Sequence, residues 1–336
     1  MKPIPHSETS CAGPVGDSAL SLADRERFAQ QGLVGRSAAL NVVLERALDI
    51  ARYPTPVLIT GPTGSGKTAL ARAIHAESDV RGDFVPVNAA SLQPSIGRSE
   101  LFGIEGERAT GVARHAGLLA TAHHGTLFLD EVGTLGLDLQ ATLLKAVDEG
   151  SFTMVGSTKL RTVEVRWIFA TNVDLNAASD NGTFRGDLLS RIEGWTIELP
   201  SLNERLEDIP DLVDALVPRM ARTLKCPALR LTPAALDYLH HVDWSRGNIR
   251  QLENVLRQGL IRANNRNRIR IDVAELTTDR GFQVFRNFNL AKAQWKRHWL
   301  THQLRRVGGD VKRLAKDIGI SISHAYKLIQ DLDISK

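Results

Sequence analysis

A glycine-rich segment at residues 56–68, PVLITGPTGSGKT, constrains the fold more than any other part of the chain. The apolar run at 57–59 predicts a strand that is buried on both faces of a parallel sheet. The glycines that follow permit unusual backbone angles, and residues 69–74 are typical of a helix. A strand, Gly-x-x-x-x-Gly-Lys-Thr and a helix, in this order, predict a phosphate-binding loop.

The residue types in this loop suit the phosphates of a nucleotide. Backbone N–H groups of glycine-rich loops surround phosphate oxygens, and the N-terminus of the next helix adds partial positive charge. Lys67 can reach the outer phosphates, and the hydroxyl of Thr68 can ligate Mg²⁺. We therefore expect nucleotide binding by Gly61, Pro62, Thr63, Gly64, Ser65, Gly66, Lys67 and Thr68.

Further polar residues follow two later strands. The apolar run at 127–129 ends in Asp130 and Glu131. An aspartate at a strand end beside a phosphate-binding loop can hold Mg²⁺ through water. The next glutamate can act as a general base toward the attacking water. Asn172 follows the strand predicted at 163–170, and it either faces the γ-phosphate or only starts a turn.

The pattern along the chain predicts an α/β fold. Strands are expected at 57–59, 84–88, 126–129, 163–170 and 195–199, with helices between them, for example at 138–149. Strands that alternate with helices form a parallel sheet covered on both faces, here of five strands. From 204 to 276 helices dominate, and no strong strand pattern is present. Ser37 and Thr232, the latter before Pro233, are typical helix N-caps.

Composition excludes several classes of protein. The 336 residues are 43% hydrophobic and 24% charged, which is ordinary for a globular chain of two or three domains. Cys11 and Cys226 are far apart in unlike contexts, which indicates neither a disulfide framework nor a zinc site. We expect a cytoplasmic protein, because no apolar run could cross a membrane and no signal peptide is recognisable.

The last 51 residues are basic. From Arg286 onward, eleven Lys or Arg oppose four Asp or Glu, so this part carries +7 while the whole chain carries +4. Residues 310–329 predict two short helices joined at Gly319, with Asp310 and Ser321 as N-caps. This is the outline of a helix-turn-helix, although an ordinary helical hairpin has the same spacing. Basic residues would contact DNA phosphates, and bases would be read by Ser321, Ser323, His324, Tyr326 and Lys327.

Several long phrases carry a family resemblance. They are SELFG at 99–103, GTLFLDE at 125–131, ATN at 170–172 and GNIRQLEN at 247–254. Through them, the chain from residue 33 to about 276 resembles the AAA+ ATPase domain of sigma-54-dependent transcriptional activators, the bacterial enhancer-binding proteins. The C-terminal segment resembles the Fis-type helix-turn-helix domain that ends these activators and dimerises through a preceding helix, here at 290–307.

The resemblance implies an AAA+ P-loop NTPase core with a helical lid, which hydrolyses ATP with Mg²⁺ in a hexameric ring. On this basis the chain divides into a flexible leader (1–32), an α/β ATPase subdomain (33–200), a helical lid (201–276), a linker (277–288) and a helix-turn-helix domain (289–336). We therefore expect the chain to lack the N-terminal regulatory domain that many of these activators carry.

The resemblance also assigns roles to single residues. It implies that Asn88 couples the general base to the nucleotide state and that Asn172 senses the γ-phosphate. It makes Arg185 and Arg191 the arginine fingers that reach the ATP of a neighbouring subunit. Such fingers stabilise transition-state charge only in an assembled ring. It makes Arg250 the lid arginine that senses the nucleotide of its own subunit.

One loop departs from the family pattern. Where the family has the sigma-54 contact loop Gly-Ala-Phe-Thr-Gly-Ala, this chain has Glu107, Arg108, Ala109, Thr110 and Gly111, followed by Val112. An aromatic anchor supplies much of the apolar area of a contact, and an alanine cannot replace it. Two charges beside it are costly to bury. The loop therefore argues against efficient contact with sigma-54.

We therefore expect a DNA-binding AAA+ ATPase that regulates bacterial transcription by remodelling a transcription complex. The altered loop leaves an alternative, in which the partner is the housekeeping sigma factor or the chain is a repressor or an ATP-driven DNA-remodelling or transposition factor. A non-enzymatic DNA-binding scaffold is a third alternative. The presence of Glu131, Arg185 and Arg191 argues against this last one.

Overall fold

A parallel five-stranded sheet forms the centre of the first domain, and its strands lie in the order Phe84–Asn88, Thr126–Asp130, Arg166–Thr171, Val57–Thr60 and Trp195–Glu198. The computed structural model describes residues 20–92, 96–105, 115–277, 292, 296, 299–300, 303–304 and 307–331. The strands are β1 (Val57–Thr60), β2 (Phe84–Asn88), β3 (Thr126–Asp130), β4 (Ser151–Thr153), β5 (Leu160–Thr162), β6 (Arg166–Thr171), β7 (Trp195–Glu198), β8 (Arg230–Leu231) and β9 (Arg270–Ile271). The sheet confirms the predicted α/β fold with five parallel strands.

Helices connect most of these strands. They are α1 (Leu22–Gln30), α2 (Ala38–Ala51), α3 (Lys67–Ala76), α4 (Gly97–Phe102), α5 (Leu118–Thr121), α6 (Leu137–Glu149), α7 (Leu175–Asp180), α8 (Gly186–Ile192), α9 (Ile209–Leu224), α10 (Pro233–His241), α11 (Asn248–Asn265), α12 (Val273–Leu276), α13 (Val311–Asp317) and α14 (Ile322–Asp331). Short 3₁₀ turns lie at Ala89–Ser91, Val132–Thr134, Leu202–Glu204 and Leu206–Asp208. None of the described helices is long and apolar enough to span a membrane.

Helices cover both faces of the sheet, as its apolar strands require. Leu127, Leu129 and Phe169 pack on one face in a cluster that includes residues of α6 and α8. Val57 and Ile168 lie on the other face, in a cluster with residues of α1, α2 and α3. The alternation of faces along each strand therefore gives the domain two apolar layers around one sheet.

Residues before position 33 belong to this core. Helix α1 lies within the expected leader, at Leu22–Gln30, and Ser21 caps it by accepting a hydrogen bond from the backbone of Asp24. Phe28 is only 1% exposed and packs in the same cluster as Leu33. The folded domain thus begins nearer to residue 20 than to residue 33, because an apolar side chain in the expected leader is buried against the core.

The fourth strand of the sheet begins later than predicted, at Arg166 rather than at 163. The backbone N–H of Val163 donates to the Gly150 carbonyl at 2.8 Å, which keeps Val163 outside the sheet. Its apolar side chain is nevertheless buried. The buried guanidinium of Arg166 then donates to the carbonyls of Ile50 and Ala51 at the end of α2. These tertiary contacts override the apolar pattern and set the strand boundary.

The helical lid has a core of its own. Trp244 is fully buried there, with side chains of α9, α10, α11 and α12 in the same cluster, and its Nε1 donates to the Leu239 carbonyl at 3.1 Å. Thr232 caps α10 as predicted, by accepting from the backbone of Ala235. The expectation of no strand in this region is wrong in one detail, because β8 and β9 form a parallel pair of two residues each.

The C-terminal helices α13 and α14 pack on each other through a small apolar cluster. Leu314 of α13 and Ala325 of α14 are fully buried in it. Asp310 caps α13, and the Ser321 hydroxyl accepts from the backbone of His324 at 3.2 Å. Gly319 joins the helices with φ +71°, where glycine is favoured. The expected linker at 277–288, apart from residue 277, and most of the helix expected at 290–307 lie outside the described residues.

Candidate functional site

The phosphate-binding loop joins β1 to α3 in the predicted order. Gly61, Gly64 and Gly66 have φ values of +143°, +76° and +114°, which favour glycine. At Gly64 a Cβ atom would lie 2.2 Å from the carbonyl oxygen of Gly247 in the lid. At Gly61 it would lie 2.7 Å from the carbonyl oxygen of Leu199. Gly61 and Gly64 are therefore favoured both by backbone angle and by close approach, and Gly66 by backbone angle alone.

Lys67 begins α3 and folds back into the mouth of the loop. Its Nζ donates to the carbonyl oxygens of Gly61 at 2.8 Å and of Pro62 at 3.4 Å. Burial lowers the pKa of the ammonium group, while the nearby carboxylates of Glu131 and Asp130 act in the opposite direction. The ammonium group thus lies at the loop, within electrostatic reach of the carboxylates of Asp130 and Glu131.

Two carboxylates end strand β3 opposite the start of α3. The Thr68 hydroxyl donates to Asp130 Oδ2 at 3.4 Å, and Asp130 Oδ1 accepts from the backbone of Glu131 at 3.0 Å. Glu131 has a left-handed backbone with φ +55°, which is uncommon for a residue other than glycine and occurs often at functional sites. The oxygens of Thr68 and Asp130 form a hard donor pair that suits Mg²⁺.

Metal binding by protein groups alone is not indicated among the residues that the structure describes. In the part of the chain that the structure describes, no group of three or more His, Cys, Asp or Glu could hold a metal ion. A pair of oxygen donors is nevertheless typical of Mg²⁺, which keeps several waters and uses substrate phosphates as further ligands. The residues present therefore fit a Mg²⁺ that binds together with a nucleotide.

The asparagines at the ends of β2 and β6 lie at the same edge of the sheet. Asn172 follows β6, and its Nδ2 donates to the hydroxyl of Thr63 in the loop at 2.9 Å. Asn88 ends β2 directly opposite Asp130 in the strand register, and its Oδ1 accepts from the backbone of Ala90 at 2.9 Å. Since carboxyl ends of parallel strands meet at one edge, both amides border the loop and the carboxylates.

A cleft of about 450 Å³ opens between the loop, the end of α1 and the lid. Lid side chains that line it come from α9 and α11, and they include Arg250, Arg219, Arg222 and Glu253. Arg219 and Glu253 form an ion pair across the two helices. Arg250 is exposed in the cleft, where its charge contributes to the lowered pKa of Lys67. Cationic groups thus face the loop from the lid side, which is favourable for polyphosphate.

Two residues that the sequence pattern did not single out bind the loop from the lid. Asn248 is 1% exposed; its Nδ2 donates to the Thr63 carbonyl at 3.1 Å, and its Oδ1 accepts from the Leu202 backbone at 2.7 Å. Arg205 is also 1% exposed and donates to the Ser65 carbonyl at 2.7 Å. Asn248 lies in the GNIRQLEN phrase, but Arg205 is part of no periodic pattern.

The two remaining arginines lie outside the cleft of their own chain. Arg185 binds the carboxylate of Asp187 with two nitrogens, at 3.0 and 2.7 Å. Arg191 pairs with Asp148 at 3.0 Å. Both guanidinium groups are more than one-third exposed. The structure therefore brings the loop, the carboxylates, Asn88, Asn172 and Arg250 together, and leaves these two arginines on the surface.

The structure describes the predicted DNA-reading residues but not the predicted partner loop. Residues 107–111 lie outside the described residues, although Ile104 and His115 on either side pair with each other in an antiparallel bridge. Helix α14 exposes the predicted base-reading side chains, which are Ser323, His324, Tyr326 and Lys327, and Ser321 before the helix is exposed as well.

Comparison with known proteins agrees with this geometry. Residues 33–198 match the family model described as the sigma-54 interaction domain, and residues 203–280 match that of the AAA+ ATPase lid domain. The nitrogen assimilation regulatory protein NtrX of Azorhizobium caulinodans is 34% identical over 316 residues, which are 90% of this chain and 69% of NtrX. The chain belongs to the AAA+ family of sigma-54-dependent transcriptional regulators.

Other members of this family extend the comparison. The transcriptional regulatory protein ZraR of Escherichia coli K12 is 42% identical over 235 residues, 69% of this chain and 53% of ZraR. This chain thus spans about half the length of ZraR. A crystal structure of NtrX from Brucella abortus in complex with ATP has a TM-score of 0.68 and 32% identity, and the match covers 90% of this chain and 69% of that one. Another is described in complex with ADP.

Proposed function

We propose that this chain is a DNA-binding ATPase that regulates transcription, and that it hydrolyses ATP in a ring oligomer to remodel a transcription complex. The observation that carries this proposal is the meeting of Lys67, Thr68, Asp130 and Glu131 in one cleft with Arg250 on the lid. A nucleotide-binding cleft that only supported assembly would not need a carboxylate in the position of a general base. NtrX structures with ATP and ADP support a nucleotide as the ligand.

Each residue of the cleft has a separate role in the proposed hydrolysis. Loop N–H groups and Lys67 bind the phosphates, and Glu131 accepts a proton from the attacking water. Asn172, which already bonds to Thr63 in the loop, is suited to respond to the terminal phosphate. Thr68 and Asp130 would hold Mg²⁺, which would supply positive charge against the phosphates. Together these groups position the water and stabilise charge in the transition state.

The surface arginines suit a role between subunits. Arg185 and Arg191 do not line the cleft of their own chain, and each is bound to a carboxylate at the surface. An arginine that acts on a neighbouring site must be exposed before assembly, which both are. We therefore propose that they complete the ATP site of the next subunit in a ring, which makes turnover depend on assembly.

DNA binding is proposed for the C-terminal helix pair. The exposed face of α14 carries polar and basic side chains suited to base edges and phosphates, and the basic excess lies in this part of the chain. A helix pair with an exposed second helix can enter a major groove. This surface would bring the ring to specific promoters.

A second candidate function follows from the altered loop. Ala109 replaces the aromatic of the family pattern, and Glu107 and Arg108 add charge beside it. Loss of an aromatic anchor costs about 2–4 kcal/mol at an interface, so contact with sigma-54 would weaken by roughly 30- to 1000-fold. On this reading the loop acts on the housekeeping sigma factor or on another protein. Complex formation with sigma-54 should be weak and should increase in an Ala109→Phe, Glu107→Gly, Arg108→Ala variant. Strong binding of sigma-54 by the unmodified chain would refute this second candidate function.

Turnover and binding measurements test the main proposal. Glu131→Ala should bind ATP with nearly unchanged affinity and lose hydrolysis, because the water loses its base. Lys67→Ala should lose binding itself. Glu149→Ala at the end of α6 is a control, because this carboxylate lies outside the cleft. Hydrolysis by Glu131→Ala at the rate of the unmodified chain would refute the assignment.

A further inference from the structure

Three consecutive carbonyl groups of the phosphate-binding loop accept hydrogen bonds from the lid. Asn248 Nδ2 donates to Thr63 at 3.1 Å, the backbone of Ile249 to Gly64 at 3.0 Å, and Arg205 Nη2 to Ser65 at 2.7 Å. These three bonds are the lid–loop contact. In a trans peptide unit the C=O and N–H groups point in opposite directions. Carbonyls directed at the lid therefore leave the N–H groups of residues 64–66 directed away from it.

We propose that Asn248 and Arg205 are positioning residues for the nucleotide phosphates, and that they act by holding the loop in its binding conformation. This inference rests on the proposed binding of ATP to the cleft. Neither side chain needs to touch the nucleotide. Their effect is to keep the loop N–H groups in place before the phosphates arrive, which spares the ligand the cost of ordering the loop.

Asn248 is held by hydrogen bonds to both the lid and the loop. Its backbone is left-handed, with φ +49°, a conformation that asparagine tolerates better than most residues. Its Oδ1 accepts from Leu202 in the lid while its Nδ2 donates to the loop, so the orientation of the amide is determined. The side chain therefore links the lid to the Thr63 carbonyl, so a shift of the lid would also shift the loop.

Arg205 combines burial with an incomplete set of partners. Its guanidinium is almost fully buried, and its Nε has no hydrogen-bond partner among the described residues. Burial lowers the pKa of this group, while the charges of Asp208 and Glu204 oppose that shift. Burying an arginine costs free energy unless its charge is balanced by an opposite charge and its N–H groups are hydrogen-bonded. Here the charge lies beside the loop that faces the phosphates, where it favours an anionic ligand.

The packing at this contact couples the lid to the loop. A Cβ atom on Gly64 would lie 2.2 Å from the Gly247 carbonyl and 3.1 Å from Cβ of Arg250, so little space separates the two parts. A rotation of the lid would break the three bonds together and release the loop carbonyls. Lid orientation and phosphate affinity should therefore change together, for ATP and ADP alike, because the contact does not involve the γ-phosphate.

Asn248→Asp tests the contact with little change of shape. It keeps the oxygen that accepts from Leu202 and replaces the donor to Thr63 by a second acceptor. Gln251→Glu is the matched control. It makes the same amide-to-carboxylate change on the same helix, where Gln251 donates to the Asp243 carbonyl at 3.0 Å and not to the loop. Arg205→Met removes the charge and the donor, and Arg205→Lys retains a charge that can rescue part of the effect.

Three measurements on the full chain decide the proposal. They are affinities for ATP and for ADP by calorimetry, amide hydrogen exchange at residues 61–68 without nucleotide, and the urea midpoint of unfolding. We expect Asn248→Asp and Arg205→Met to weaken both affinities by roughly 10- to 100-fold and to speed exchange in the loop. Gln251→Glu should change neither, and Arg205→Lys should bind more tightly than Arg205→Met.

Each contrary result has a separate meaning. If Asn248→Asp binds both nucleotides as tightly as Gln251→Glu and its loop exchange is unchanged, the inference is wrong while the proposed ATP site stands. If Asn248→Asp lowers the urea midpoint more than Gln251→Glu does, its loss of affinity is not specific to the contact, and the comparison of Arg205→Lys with Arg205→Met takes its place. Equal nucleotide affinities of these two variants overturn the inference. If the unmodified chain binds neither ATP nor ADP, the proposed function fails and the inference fails with it.

Discussion

Asp208 should contribute more to the stability of this protein than any exposed ion pair. Its carboxylate is fully buried at the start of the lid. It accepts from the backbone N–H groups of Arg36 and Ser37 and from the Ser37 hydroxyl, each at 2.7 Å. A Cβ on Gly35 would lie 2.4 Å from the carboxyl carbon, which leaves no room for another side chain. One side chain thus joins the lid to the segment before α2.

The cost of removing this carboxylate can be worked out from its partners. Asp208→Ala leaves two backbone N–H groups without an acceptor, the buried one of Ser37 and the partly buried one of Arg36. Leaving a buried donor without a partner costs about 1–3 kcal/mol. It also removes the carboxylate whose negative charge most opposes the lowering of the Arg205 pKa by burial. We expect a loss of about 3–5 kcal/mol in the free energy of unfolding, which corresponds to roughly 1–2 M in the urea midpoint.

Two further variants make this prediction sharp. Asp208→Asn can still accept from both N–H groups through one oxygen, and the Ser37 hydroxyl can accept from the new amide, so we expect a loss of about 1–2 kcal/mol. Asp211→Ala removes the exposed pair with the Arg36 guanidinium at 2.7 Å, which should cost at most about 1 kcal/mol. Urea denaturation followed by tryptophan fluorescence measures all three. The reasoning fails if Asp208→Ala is no more destabilised than Asp208→Asn or Asp211→Ala.

Three more predictions concern assembly, DNA and pH. Mixing Glu131→Ala subunits with Arg191→Ala subunits should restore part of the lost ATP turnover, because some interfaces then combine an intact base with an intact finger; a concentration-independent rate from a monomer would contradict this. Deleting the residues after Arg286 should abolish specific DNA binding, measured at several salt concentrations, and leave ATP affinity intact; unchanged DNA affinity would count against the proposal. Burial, with Arg166 and Arg72 nearby and Asp83 opposing, lowers the pKa of His75, whose Nδ1 lies 2.8 Å from the Thr126 hydroxyl. Since the unfolded chain then binds more protons, the free energy of unfolding should decrease as pH falls below about 6.5, and His75→Gln should flatten that slope in urea titrations; identical slopes would refute it.

Local features of the chain were predictable because their causes are local. The phosphate-binding loop, the apolar strands around it and the caps at Ser37, Thr232 and Asp310 depend on residues a few positions apart, and the structure has all of them. The strand pattern also predicted that Asp130 would lie beside the loop, because the carboxyl ends of parallel strands share one edge. It left the role of Asn172 open, and only the family resemblance assigned this residue to the γ-phosphate.

Contacts between distant segments were not predictable from the sequence. The boundary of β6 depends on Val163 pairing with Gly150, and the β4–β5 and β8–β9 pairs are too short to show a period of two. The lid–loop contact and the Asp208 carboxylate join residues 140 to 185 positions apart. A buried hydrogen bond needs only one donor and one acceptor, so it leaves no periodic pattern in either segment. Sequence alone therefore located the phosphate-binding loop, while only the tertiary structure decided which lid residues donate hydrogen bonds to it.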